Sequence, residues 1–508
     1  MPYAAVDWIA FNASFAPDKT AMIEADTNRR YTYAQMHARV GRVAAMLAQR
    51  GLKPGDRAAF ITLNSTDTME FIFGCWRAGV ICVAVNFRLT PHEISFILEN
   101  SGTSLVLYDT PFQPIADALP DMADWLHTQG TGGDSAYETA LAKVDPRTDM
   151  EPQDFEDQCM LMYSSGTTGT PKGVIITHGM MYFSQSSGMQ ANGLDKDGVS
   201  LSNMPLFHIG GLNVTAMPAI WSGTTTVIQR VFDVAGTAKL INDADLAITS
   251  TFMVPAAYNA LKLMPNVDDI DFSRIQTALC GAETVPEELI RFWHTKGLVI
   301  QEGYGMTETG AAGCLIAKSD MPHMAGKAGR SLMHTTLGIF RENGRRADVD
   351  EAGEIWISGA CVSPGYWKRA EATEEVFVDG WYHTGDIGRM DADGYVSIED
   401  RVKDMYISGG ENVYPAEIEG LLYELDQIAE VSVIGVPDER WGEIGAVCAV
   451  CKPGETLDLD TIHAHLKDKL ATFKTPQHLH LMSELPRGGT GKVLKYKLRD
   501  EVPAALGL

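Results

Sequence analysis

The stretch RAAFITLNSTDTMEFIFGCWRAGVICVAV, residues 57–85, decides the fold class. RAAFITL (57–63) is a short apolar run with strand character, residues 66–78 carry helical spacing, and VICVAV (80–85) reads as strand again. Two strands separated by a helix of this length predict a βαβ unit on a mostly parallel sheet. Just upstream, Thr32 followed by Gln35 predicts a capping box that opens an apolar 3.6-period run through Met36, Val40, Val43, Ala44 and Leu47, stopped by Gly51. The fold expected is α/β, with a large N-terminal body of mixed and parallel sheets covered by helices.

The chain has 508 residues, room for about three domains of ~150 residues and for a core without covalent staples. With 45% hydrophobic, 8% aromatic and 21% charged residues, it has the profile of a folded globular protein. Its 66 Asp and Glu against 41 Lys and Arg leave a net charge of −25, a field that repels nucleic acid and anionic lipid. Any polyanionic ligand has to be captured by local donors. The segment MPYAAVDWIAF has no basic run before an apolar stretch, and no apolar run approaches the ~18 residues of a membrane helix. A cytoplasmic protein with no nucleic-acid partner and no integral membrane part is expected. Eight cysteines, at 75, 82, 159, 280, 314, 361, 448 and 451, are too sparse for a disulfide framework. Cys448 and Cys451 form a CxxC, but no second pair stands at zinc-site spacing, and EIGAVCAVCKPG around them reads as an apolar strand with buried thiols.

Residues 154–400 are rich in Gly and short apolar runs, with no clean linker inside them. Beyond the acidic turn DADGYVSIED (391–400) a new pattern begins: a helix from Pro415, strands near 428–436 and 444–451, and a helix near 459–470. This predicts a small α+β C-terminal domain over 403–508, after a body spanning 1–402. Two decoys are set aside. TQGTGGDS, with Gly130, Gly132 and Gly133, lacks the strand-then-helix frame of a phosphate loop and reads as a surface loop. RMDADGYVSIED has Asp391, Asp393 and Gly394 at EF-hand offsets, but Arg389 stands at the first ligand position, so a hairpin turn is expected.

The stretch with the most chemistry is YSSGTTGTPKGV, Tyr163 to Val174, behind the apolar run MLM. Its glycines let backbone N–H groups approach phosphate oxygens, its hydroxyls add donors and Lys172 adds charge, so it suits a polyphosphate. It is not a Walker A loop, because Pro171 and Gly173 flank the lysine. Taken alone, such a stretch is an ordinary flexible loop.

It is not alone. YSSGTTGTPKGV is followed in order by PLFHIGG (205–211), YGMTE (304–308), WYHTGD (381–386) with DRVKD (400–404), and GTGK (489–492). Together these resemble the AMP-forming acyl-CoA synthetase family, the adenylating superfamily that includes luciferases and peptide-synthetase adenylation domains. The resemblance spans nearly the whole chain and implies ATP, Mg²⁺ and CoA as cofactors, and a C-terminal domain that moves as a lid.

The resemblance assigns roles residue by residue. Ser164, Ser165, Gly166, Thr167, Thr168, Gly169 and Lys172 would hold the polyphosphate. In CGAE, Gly281, Ala282 and Glu283 would flank adenine, with Tyr304, Gly305 and Met306 against the nucleotide, Thr307 on the α-phosphate and Glu308 on Mg²⁺, which prefers a hard carboxylate oxygen. Asp386 would accept both ribose hydroxyls, Ile398 would lie nearby, and Arg401 would contact ribose and phosphate. Lys492 would reach the substrate carboxylate and α-phosphate, where a compact ammonium offsets the charge of two anions brought together. His208 would lie beside the carboxylate pocket, without being assigned as a general base. Lys403 would be the hinge that lets Lys492 leave before CoA enters. Gly409 and Gly410 would then line the pantetheine tunnel with Glu411 nearby, and Arg440 and Trp441 would contact the nucleotide end of CoA.

By resemblance the acyl pocket is lined by Gly210, Gly211, Met253, Val254 and Gly310, beside His208, Ala282 and Met306. The two glycines are expected to leave volume, favouring a medium aliphatic chain or an aryl-propenoate over acetate. An amino acid substrate would need a carboxylate for its buried ammonium, and PLFHIGGLNV offers none. The function expected is a carboxylic acid–CoA ligase working through an acyl-adenylate. An adenylating enzyme that loads a separate carrier protein, or a nucleotide-binding module without catalysis, stands as the alternative. The partners expected are a small carboxylic acid, ATP and CoA, with homodimerisation left open.

Overall fold

The computed structural model describes residues 3–164, 171–193, 197–283, 285–401, 404–408, 411–438, 441–467, 469–470, 472–487 and 493–508. The βαβ unit is present: strands Arg57–Ile61 and Ile81–Ala84 run parallel, joined by helix Thr66–Ala78. The Ser65 hydroxyl accepts the Thr68 N–H to start that helix, and Gly79 ends it in the left-handed conformation at φ +71°. The capping box is present as well. Gln35 N donates to Thr32 Oγ1 at 3.3 Å and Thr32 N to Gln35 Oε1 at 2.9 Å, heading helix Tyr33–Gln49.

Sheet A has six strands in the order Asp124–Thr128, Thr103–Asp109, Arg57–Ile61, Ile81–Ala84, Gln158–Ser164 and Lys172–Thr177, all parallel except the last pair. Sheet B has nine, and its six central strands, Ile300–Tyr304, Thr277–Gly281, Ser250–Met253, Val199–Ser202, Thr225–Ile228 and Thr20–Glu24, are parallel. Strand alternation gives sheet A two buried faces. Ala58 and Phe60 join the core between A and B, whereas Ala59 and Ile61 join a second core with Ile94 and Ile97 of helix Pro91–Ser101. The outer face of sheet B packs on helices Val234–Asn242, Pro255–Lys262 and Glu287–Thr295.

Helix Thr66–Ala78 is buried on every side, although it carries Asp67, Glu70 and Arg77. Each charge is paired: Asp67 with Arg29 at 2.6 Å, Glu70 with Arg39, and Arg77 with Asp7 at 2.7 Å. Unpaired, any of them would cost several kcal/mol by rough reckoning.

The stretch 154–400 does contain a break that its sequence hides. From Thr335 to Arg401 the chain builds a separate antiparallel sheet C, ordered Thr335–Phe340, Gly353–Gly359, Trp381–Met390, Phe377–Val378, with Val396–Arg401 also pairing Trp381–Met390. The turn at 391–395 closes a hairpin there: the Asp391 carboxylate accepts from the N–H groups of Asp393 at 3.1 Å and Tyr395 at 2.9 Å. Sheet D follows, built of Glu411–Val413, Tyr406–Ser408, Gly442–Cys451, Ile428–Asp438 and His478–Leu481. Helices Pro415–Leu422, Leu459–Leu466 and Lys495–Leu506 cover it, and Cys448 is buried against Leu498 and Val502 of the last. Among the described residues no helix is long and apolar enough to cross a membrane.

Candidate active site

The nucleotide-side residues lie where the parallel strands of sheet B end, the usual ligand edge of an α/β sheet. Gly281 and Gly303 are register partners on adjacent strands, and a Cβ at Gly281 would stand 2.4 Å from the Gly303 carbonyl oxygen, so the approach requires glycine. Ala282 follows in the left-handed region at φ +71°, a strained conformation for a residue with a Cβ. Tyr304 ends its strand and donates its hydroxyl to Asp386 Oδ2 at 2.6 Å. Asp386 is 5% exposed and sits in an irregularity of sheet C, where Trp356 pairs with His383 but Glu354 pairs with Ile387. Such a bulge re-aims a side chain, and here the aim is toward Tyr304. Arg401 is the register partner of Asp386, and Ile398 is half-buried on the sheet C core.

A second phenol–carboxylate pair stands beside the first. Glu308, in the turn Thr307–Thr309 between Met306 and the left-handed Gly310, is 7% exposed, and its Oε1 accepts the Tyr366 hydroxyl at 2.9 Å. Lys172 Nζ lies 5.1 Å over the Tyr366 ring. The hairpin and the turn are stitched together by backbone: Ser363 N donates to the Glu308 carbonyl at 2.7 Å, Ser363 Oγ to the Ile175 carbonyl at 2.7 Å, and Trp367 N to the Gly173 carbonyl at 2.7 Å. Tyr366 is also hydrogen-bonded to Tyr382. Burial foremost, and then the adjoining carboxylates, push the Tyr304, Tyr366 and Tyr382 hydroxyls far above the ordinary phenol range. They stay protonated, so Tyr304 donates to Asp386 and Tyr366 donates to Glu308. A buried carboxylate held by a neutral donor is a hard oxygen ligand, so Glu308 fits a Mg²⁺ site.

On the acyl side, His208 precedes the helical turn Ile209–Gly211, its ring 4.4 Å from Phe207, and a π-helical stretch Leu212–Ala216 continues from it. Asn213 in that stretch donates to the Gly310 carbonyl at 3.0 Å, tying it to the Glu308 turn. Three expectations are corrected here. A Cβ on Gly211 would stand 2.2 Å from the Pro205 carbonyl oxygen, so this glycine serves backbone packing and leaves no volume for substrate. A Cβ on Gly210 would meet the Phe252 ring at 3.2 Å, so that space is bordered by an aromatic. Met253 pairs with Cys280 on the face of sheet B turned to its outer helices, and it is Phe252, one residue earlier, that borders Gly210. Val254 caps helix Pro255–Lys262 beside that outer core.

Ser164 and Lys172 are register partners at the mouth of the sheet A hairpin. Ser165, Gly166, Thr167, Thr168 and Gly169 at its tip lie outside the described residues, as do Lys403, Gly409, Gly410, Arg440 and Lys492. Their flanks are described. Arg487 and Val493 are bridged across the Lys492 loop, and Arg487 pairs with Glu430 at 3.1 Å. Next to Glu430, the Ala429 carbonyl lies 3.5 Å from Asn259 Nδ2 of the body. At the other end of the same strand pair, Ser408 pairs with Gly442 beside Trp441, and Glu411 lies in the strand facing Tyr406–Ser408.

Tyr366, Tyr382, Ser363 and Asn213 were not expected from sequence. Tyr382 lies inside WYHTGD and was within reach of that motif; Tyr366 in SPGYW carries no spacing that separates it from a core aromatic.

Comparison with known proteins gives a consistent result. The family model described as AMP-binding enzyme matches residues 10–367, and that of the AMP-binding enzyme C-terminal domain matches 417–492. The chain is 35% identical over 496 residues to a feruloyl-CoA synthase of Amycolatopsis sp, covering 97% of this chain and 98% of that one. It is also 35% identical over 496 residues to a long-chain-fatty-acid–CoA ligase of Mycobacterium tuberculosis, covering 97% of each. Among solved structures, the o-succinylbenzoate CoA synthetase of Bacillus subtilis in complex with an acyl-adenylate intermediate superimposes with a TM-score of 0.86 at 29% identity, covering 99% of this chain and 98% of that one. The same synthetase with ATP and magnesium ion superimposes with a TM-score of 0.86 at 28% identity, covering 99% of each.

Proposed function

The chain belongs to the AMP-binding enzyme family as an AMP-forming acyl-CoA synthetase, and from that premise we propose that its substrate is a medium-chain fatty acid or an aryl acid. Two half-reactions are required. A carboxylate oxygen first attacks the α-phosphorus of ATP, the bond to pyrophosphate breaks, and an acyl-adenylate forms. The sulfur of CoA then attacks the acyl carbon, the bond to AMP breaks, and the thioester is released with AMP.

The observation that carries this reading is the pair of phenol–carboxylate contacts, Tyr304 with Asp386 and Tyr366 with Glu308, which joins sheet B, sheet C and the Lys172 hairpin in one place. In this reading the Ser164–Lys172 loop holds the polyphosphate, Gly281, Ala282 and Tyr304 bracket the adenine, and Asp386 accepts the ribose hydroxyls. Glu308 holds Mg²⁺, which when bound screens the phosphate charge. Lys492 contributes the ammonium that lets two anions meet, and the region around Lys403 is the boundary at which the 403–508 domain turns. Support for the Lys492 role comes from the described base of its loop, Arg487 with Glu430, which lies next to the Ala429 contact on the body. A cytoplasmic location and a homodimer belong to the same proposal.

The test is acid-, ATP- and CoA-dependent AMP release, with Lys492→Ala as the discriminating variant. It should abolish acyl-adenylate formation yet convert supplied acyl-adenylate and CoA to thioester at close to the wild-type rate. Equal loss of both steps would remove Lys492 from the assignment, and no AMP with any acid would remove the ligase reading itself.

A further inference from the structure

Asp386 is presented by a break in sheet C, and the break is held by a residue outside the site described above. Trp356 pairs with His383 and Glu354 with Ile387, so between these pairings Ile355 alone stands opposite Thr384, Gly385 and Asp386. On the other side of the strand Asp386 keeps its register with Arg401. The surplus residues leave the ladder on the Ile355 side, and their backbone groups need other partners. Side chains supply them. Gly385 N donates to Glu354 Oε1 at 2.9 Å, Asp386 N donates to Thr384 Oγ1 at 3.0 Å, and Thr384 Oγ1 donates to the Ile355 carbonyl at 2.7 Å. Gly385 sits at φ +70° with open space where a Cβ would stand, which makes it the least restrained point of the bulge. The carboxylate on its N–H is what fixes it.

Glu354 is itself held in place. Its Oε2 accepts the Trp356 Nε1–H at 2.8 Å. The Trp356 ring is stacked with Phe340 of one neighbouring strand, at 4.1 Å and 14°, and with His383 of the other, at 3.8 Å and 9°. Strand alternation puts Glu354 and Trp356 on one face of sheet C, and Ile355 and Ile357 on the other, in the core that Tyr304 packs against. Tyr304 is the residue that donates to Asp386. Glu354 therefore works from the far side of the sheet and reaches Asp386 through the Gly385 backbone. A backbone N–H on an ionised carboxylate makes a charge-assisted bond, roughly twice as strong as a neutral one. Asp386 is thus set from two directions, its backbone by Glu354 and Thr384 and its carboxylate by the Tyr304 hydroxyl.

We infer that Glu354 is a positioning residue for nucleotide recognition: it fixes the 384–386 bulge, and with it the place where the Asp386 carboxylate meets the ribose. The inference rests on the reading of Asp386 as acceptor of the ribose hydroxyls and deepens it. The test measures Kd by calorimetry, with Mg²⁺, for ATP and for 2′,3′-dideoxy-ATP, which lacks both hydroxyls. The wild type should prefer ATP by at least roughly tenfold. Glu354→Ala should raise Kd for ATP by roughly tenfold, the worth of one hydrogen bond to a charged group, and leave Kd for the dideoxy nucleotide within about twofold. Glu354→Gln keeps an acceptor for Gly385 and should hold the preference within roughly threefold of wild type, whereas Trp356→Phe, which loses the N–H that orients Glu354, should fall between the two. Asp386→Ala should abolish the preference, and adding Glu354→Ala to it should change nothing further, because the two act as a unit. A Glu354→Ala protein that keeps the wild-type preference, or that loses both nucleotides alike, would overturn the inference and leave the Asp386 reading intact. If Glu354→Ala does not fold, Trp356→Phe decides by the same ratio, an unchanged preference counting against the inference. A wild type indifferent to the ribose hydroxyls, or an Asp386→Ala protein that still prefers ATP, would overturn both.

Discussion

Replacing Glu302 by Gln should relieve a penalty that the folded protein carries at alkaline pH. Glu302 lies two residues before Tyr304 on the strand Ile300–Tyr304, is 7% exposed, accepts the Val285 N–H, and has its Oε2 buried with no hydrogen-bond partner. Burial is the main cause that pushes its pKa from 4.5 up to about 8; the Val285 N–H opposes the shift and the Glu287 charge adds to it. The folded chain thus keeps a proton that the unfolded chain has released, so stability falls as pH rises between 4.5 and about 8 and is level above. At 1.36 kcal/mol per unit, the part of that window between pH ~5.5 and ~8 amounts to ~3 kcal/mol. For a body of ~400 residues unfolding with ~2.1 cal/mol/K per residue, this is a shift of ~4 °C. Glutamine keeps the shape and the acceptor for Val285 and does not titrate. Melting temperatures of wild type and Glu302→Gln, measured side by side from pH ~5.5 to ~9 at fixed ionic strength, should diverge with rising pH, the variant becoming the more stable. Buried Glu70, pushed up to about 7, and His178, pushed down to about 4, titrate in both proteins and cancel in the difference. A difference that does not change with pH would refute the claim that Glu302 is held protonated.

Tyr366→Phe removes the hydroxyl that Glu308 Oε1 accepts at 2.9 Å and should raise the Mg²⁺ concentration for half-maximal AMP release by roughly tenfold, the worth of one hydrogen bond to a charged group. A loss of rate that excess Mg²⁺ does not restore would argue against it. Gly211→Ala places a Cβ 2.2 Å from a backbone oxygen and should destabilise the protein by ~1–3 kcal/mol, whereas Gly210→Ala meets only the Phe252 ring edge at 3.2 Å and should melt within about a degree or two of wild type. Equal melting temperatures for the two variants would refute the distinction.

Local features were the most legible part of the sequence. Thr32 with Gln35, the 57–85 unit and the helix at Pro415 depend on neighbours a few residues away, and each stands where its pattern puts it. Helix 459–470 was overextended: the described helix stops at Leu466. Sheet C escaped because its central pairing, Trp356 with His383, joins segments remote in sequence and carries a register shift, so no window of sequence contains the reason for it. The burial of the charges of helix Thr66–Ala78 has no local signature, since their partners Arg29, Arg39 and Asp7 are remote in sequence. The motifs placed Glu308 and Asp386 but not the tyrosines that hold them, because a phenol that donates to a carboxylate and a phenol in a core leave the same letter. Volume was misjudged at Gly211 for a related reason: a glycine marks a close approach without saying whether substrate or backbone makes it.

The lid carries its two candidate working surfaces at opposite ends of one antiparallel strand pair. The Lys492 loop is anchored at Glu430, near the start of strand Ile428–Asp438, and the loop after Ser408 is anchored at Gly442, the register partner of Asp438 at its end. Eight residues of extended chain separate Glu430 from Asp438, ~26 Å at ~3.3 Å per residue. No side chain spans that distance, so a single placement of the lid can bring one of the two surfaces over the Tyr304–Asp386 and Tyr366–Glu308 pairs and has to hold the other away. Among the described residues, the Glu430 end meets the body through the Ala429 carbonyl and Asn259. On the proposed reading, which needs both an ammonium at the α-phosphate and a path for a thiol, the domain is expected to turn between the two steps. Sheet C ends at Arg401 and sheet D begins at Tyr406, so on this reading the proposed turning point belongs between them.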